Sequence, residues 1–64
     1  MNRIELTDYP ELYNIGLQRK HGNIVQSAEW YLRSIGYKSI TWIPVTYYYE
    51  LSDEEYTWFL LRWS

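Results

Sequence analysis

Cysteine is absent from the chain, and histidine occurs once, at His21. Without thiols no disulfide can staple the fold, and a single imidazole cannot build a structural zinc site. The same scarcity argues against catalysis. No cysteine nucleophile is available, His21 stands in a basic stretch with no evident carboxylate partner, and no glycine-rich phosphate loop or metal-ligand spacing occurs. Three adjacent acids, Asp53, Glu54 and Glu55, lack the ligand spacing of a calcium loop and read as a helix start or a solvated loop. The sequence therefore predicts no enzyme, no cofactor and no metal.

Strong charge of either sign is missing as well: the formal net charge is −2 and the pI about 5.2. That balance lacks the basic footprint of a general nucleic-acid binder and falls far short of the negative charge needed to imitate DNA. The longest unbroken apolar run, Trp58 to Leu61, is well under the roughly 20 residues a bilayer-spanning helix requires. The first residues, Met1-Asn2-Arg3-Ile4-Glu5-Leu6, show no apolar signal-peptide core. A soluble cytoplasmic protein without membrane contact is the expectation, and the missing cysteines suit a reducing compartment.

Aromatic residues are abundant in contrast. Of 64 residues 13 are Trp, Tyr or Phe, and many lie between Tyr47 and Trp63. Burying all of them is worth about 65 kcal/mol at about 25 cal/mol per Å², and the Ile, Leu and Val side chains add ~30 kcal/mol. Ordering the chain costs ~95 kcal/mol, so a single domain spanning residues 1–64 sits near balance. Most rings are needed for folding, and only those that the core cannot accept are free to do something else.

Capping and turn signals divide the chain into an α+β mini-domain: two N-terminal helices, an aromatic-rich strand or hairpin, and a C-terminal helix, with a third strand as the alternative for the last segment. Asp8 with Glu11, Pro10, and Arg19-Lys20-His21-Gly22 predict a helix over residues 9–20, with Tyr9, Leu12, Tyr13, Gly16 and Leu17 on one face. Asn23 with Gln26 predicts a capped second helix, ended by Gly36, whose apolar stripe is Ile24, Val25, Ala28, Tyr31, Leu32 and Ile35. Trp30 lies roughly 150° from the centre of that stripe. Residues 38–51 favour extended structure, with Pro44 at a bend or turn. Ser52 with Glu55, Leu51 with Tyr56, the early acids and the late Arg62 predict a helix over residues 53–63.

Functional expectations follow from the rings left over. Trp30, Tyr48, Trp58 and Trp63 are the candidate anchors for another protein, because Trp, Tyr and Arg dominate interface energetics. Asp53, Glu54 and Glu55 are the candidate steering charges toward a basic partner, since residues 39–64 carry net −3 while residues 1–38 carry net +1. The leading expectation is a small protein that docks on, and inhibits or modulates, a larger one, of the type phages and mobile elements carry against host enzymes. A single-stranded nucleic-acid binder is the alternative, with Arg19, Lys20, Arg33 and Lys38 on phosphates and Trp30 and Tyr31 near bases. A homodimer that uses the surplus rings for self-association is the third reading.

Overall fold

The computed structural model describes residues 2–63. Strand β1 is Arg3–Glu5, followed by a single 3-10 turn at Leu6–Asp8. Helices α1 (Glu11–Gln18) and α2 (Ile24–Ser34) come next, then strands β2 (Thr41–Trp42) and β3 (Tyr48–Glu50), and finally helix α3 (Asp53–Trp63). The fold is α+β, with three helices and an antiparallel sheet in the order β1-β3-β2. The residues expected to form a bent strand or a hairpin form the hairpin, and residues 53–63 are helical.

Strand β1 is the element the sequence reading misses. Its three residues alternate outward, inward and outward around Ile4, a pattern too short to stand out from a charged N-terminal stretch. Pairing with the central strand settles it: Ile4 lies opposite Tyr49, and Leu6 N–H and Leu51 N–H extend the ladder to the Tyr47 and Asn2 carbonyls at 2.8 Å. On the other side of β3, Trp42 lies opposite Tyr49 and Thr41 opposite Glu50. Ile4 and Tyr49 are therefore on the face turned toward the helices, whereas Arg3, Tyr48 and Glu50 alternate to the exposed face.

The core gathers Ile4, Leu6, Leu12, Ala28, Leu32, Tyr37, Ile40, Tyr49, Leu51 and Phe59. Tyr49 is 1% exposed and its hydroxyl donates to the Val25 carbonyl at 3.0 Å, bolting the central strand to the first turn of α2. Burial, with a smaller push from Glu29, drives the pKa of this hydroxyl up to about 12, so it stays protonated and able to donate at physiological pH.

The ends of α1 correct the sequence reading. The helix begins at Glu11, and Asp8 belongs to the 3-10 turn rather than to a capping box. Leu17, assigned to its apolar face, is exposed. At the C-terminus the left-handed residue is Lys20 (φ 59°), not Gly22 alone: His21 N–H bonds the Gly16 carbonyl at 2.9 Å and Lys20 N–H the Leu17 carbonyl at 3.1 Å, which is a Schellman closure. A side chain at φ > 0 costs about 1–2 kcal/mol that glycine avoids. Lys20→Gly should thus raise stability by about 0.5–1 kcal/mol after the extra freedom of the unfolded chain is deducted, measurable as a higher urea midpoint at constant slope. By contrast, α2 ends as its sequence predicts, with Gly36 (φ 110°) left-handed and Tyr37 N–H returning to the Leu32 carbonyl. Its N-terminus carries the full Asn23/Gln26 capping box.

Candidate functional site

The hairpin between β2 and β3 turns through Ile43, Pro44, Val45 and Thr46, closed by a Thr46 N–H to Ile43 carbonyl bond of 3.2 Å. Proline at the second corner suits this geometry, and the third corner requires positive φ, the place usually held by glycine. Here it is Val45, at φ 58° and 96% exposed. Thr46 stiffens the turn from inside: its hydroxyl donates to the Ile43 carbonyl at 2.6 Å and accepts from Tyr48 N–H at 3.1 Å.

Beside the turn stands Trp42. It shares the inward sheet face with Tyr49 but lies on the edge strand, beyond full cover by the helices, and remains 42% exposed. Its indole N–H donates to the Thr46 carbonyl at 2.8 Å, fixing the ring against the turn. Between this ring and the start of α2 runs a groove of about 380 Å³, walled by Ile24, Val25, Trp42, Val45 and Tyr47, with Asn23 and Thr46 on its polar margin. A smaller hollow of about 310 Å³ also borders the indole, reaching Gln26, Glu29 and Tyr49. Nothing in the sequence marks Trp42, Val45 or Tyr47 as site residues. A Pro-Val turn gives no hint of a left-handed valine, and only the register against β3 places Trp42 at the groove.

No family model, curated protein or solved structure matches this chain. The arrangement of its own side chains carries the functional reading.

Of the anchors expected from sequence, Trp58 and Tyr48 are exposed, Tyr48 on the outer face of the sheet away from the groove. The other two rings are engaged internally. Trp30 is half-buried with His21 stacked on it at 4.3 Å and the Arg19 guanidinium 5.7 Å from its centre. Trp63 packs on Phe59 at 4.7 Å and joins the margin of the core. Asp53 and Glu54 are exposed at the start of α3, where Asp53 accepts a hydrogen bond from the Asn2 side chain.

Glu55 overturns its expected role as a steering charge. It is 7% exposed, and its carboxylate accepts from the backbone N–H groups of Lys38 (3.0 Å) and Ser39 (3.0 Å) and from the Ser39 hydroxyl (2.7 Å). The Ser52/Glu55 capping box is accordingly only half made. Ser52 Oγ accepts from Glu55 N–H, but Ser52 N–H donates to Ser39 Oγ instead of the glutamate. Burial pulls the Glu55 pKa up, yet the hydrogen bonds from Ser39 and Lys38 and the charge of Arg33 outweigh it, and the carboxyl stays below its ordinary value.

The cations of the nucleic-acid reading are all exposed but differently engaged. Arg19 leans on Trp30, Arg33 pairs with Glu29 at 2.9 Å, and Lys20 and Lys38 lie on the turns that end α1 and α2. Among the described residues no group of three or more His, Cys, Asp or Glu could hold a metal ion, and no helix is long and apolar enough to cross a membrane.

Proposed function

We propose that the chain is a non-catalytic binding module of the cytoplasm that docks on a larger protein through its hairpin tip and thereby modulates or inhibits that protein. The observation that carries this reading is Val45. A β-branched residue in the left-handed region is a strained choice that contributes almost no burial to the fold, and it stands at the margin of an apolar groove. Strain of this kind concentrates where a side chain is presented to a ligand. The groove suits an apolar side chain of the partner, seated between Val25 and Trp42, with Asn23 and Thr46 offering polar contacts at its edge. The net −3 of residues 39–64, with Asp53 and Glu54 exposed, favours approach to a basic surface.

The test separates stability from binding at one position. Val45→Gly relieves the backbone and should leave the melting temperature unchanged or higher, while Val45→Asp should leave the far-UV spectrum intact. Both should weaken binding to a purified partner at least tenfold by calorimetry, Val45→Asp the more. Equal affinity of all three proteins would sink the proposal, as would an affinity that collapses with moderate salt, the behaviour of a phosphate binder.

A further inference from the structure

Helix α3 presents a second apolar surface that the hairpin tip does not use. Trp58 and Leu61 point away from the core face of Phe59, and Leu61 is 80% exposed. Beside them lies a hollow of about 380 Å³ lined by Ile35, Tyr37, Trp58, Leu61 and Arg62. Glu54 and Arg62 flank Trp58, each four residues away along the helix, about 6 Å in axial rise. Neither is in an ion pair among the described residues.

We propose that this face is a two-fold interface with a second copy of the chain, the two α3 helices packing antiparallel about Trp58. A symmetric interface must be self-complementary, and about this axis Trp58 of one copy lies against Trp58 of the other, with the exposed Leu61 beside the pair. An axis through Trp58 exchanges positions 54 and 62, so Glu54 of each copy faces Arg62 of the other on both sides of the tryptophan pair. The antiparallel arrangement also sets the positive N-terminus of each helix dipole beside the negative C-terminus of its mate, whereas a parallel pair would align like ends. The face is thus matched in charge and dipole to itself.

Sedimentation equilibrium across a concentration series on the full chain tests this. The wild type should dimerise with a dissociation constant on the order of 10–100 µM, the affinity of a small interface built on one helix face. Leu61→Asp should be monomeric throughout. Glu54→Arg and Arg62→Glu should each weaken the dimer about tenfold by opposing like charges, and the double exchange should restore it to within about threefold of wild type. Val45→Asp should dimerise as the wild type does, which keeps this result independent of the hairpin proposal. A wild type monomeric up to about 1 mM, or a double exchange no tighter than the single variants, overturns the interface. So does a dimer that survives Leu61→Asp or is lost in Val45→Asp.

Discussion

Glu55→Ala should be the most damaging single change at a charged position, lowering stability by about 3–4 kcal/mol and leaving the protein substantially unfolded at 37 °C. The carboxylate is the common acceptor for two backbone N–H groups and one hydroxyl in the connection between α2 and β2. Removing it strands partly buried donors that each cost about 1–3 kcal/mol when unpaired, against a total stability of only about 5 kcal/mol expected at this size. Glu55→Gln, which keeps one acceptor oxygen, should lose about half as much. Urea unfolding at pH 7 measures both. The pH dependence has a definite sign: because the folded-state pKa lies below the ordinary 4.5, the unfolded chain takes up the proton first as pH falls. The contribution of Glu55 is therefore full above about pH 4.5 and disappears as pH drops through the folded-state value. The acid limb of the stability curve should be shallower in Glu55→Gln than in wild type, and parallel limbs would show that the carboxylate charge is not what holds this connection.

Gly16→Ala comes next, with an expected loss of about 2–3 kcal/mol. A Cβ at this position would fall 2.5 Å from Ser27 Cβ and 2.9 Å from Ser27 Cα, distances that real side chains do not tolerate, and the nearer neighbours include backbone. Ser27 is fully buried, so α1 must lift away from α2 and give up packing around Leu12 and Ala28. Ser27→Gly in the same background removes the clash with the serine side chain but leaves the one with its backbone, and should recover roughly half of the loss. A double-mutant cycle with a coupling of about 1 kcal/mol or more would confirm that the helices touch directly at this pair, and additive effects would refute it.

These two positions show what is legible in the sequence and what is not. Gly16 stands out as a site of close approach or an early helix end, because a glycine on an apolar helical face calls for one or the other; that its neighbour is Ser27 depends on how α1 crosses α2. Glu55 reads as a capping residue and a surface charge, since it is three residues beyond Ser52 on an acidic run. Local signals cannot reveal that unpaired amides at Lys38 and Ser39 draw the carboxylate inward. Helices α2 and α3 are readable because capping pairs and periodicity agree within each segment. Strand β1 is not, because its identity rests on a partner near the other end of the chain. The surface rings divide in the same way: Trp58 is among the anchors expected from the sequence, whereas Trp42 and Val45 acquire meaning only through sheet register and one backbone torsion.

The strand order has a consequence in time. Arg3 pairs with Glu50, so β1 has no sheet partner until the residues up to Glu50 have been made. At roughly 5–20 residues per second that delay lasts several seconds, long enough for α1, α2 and the β2–β3 hairpin to form from neighbouring residues. Ile4, nearly solvent-free in the finished protein, spends this interval without its sheet partner Tyr49. The shelter of β1 thus waits on β3, which is made well after it.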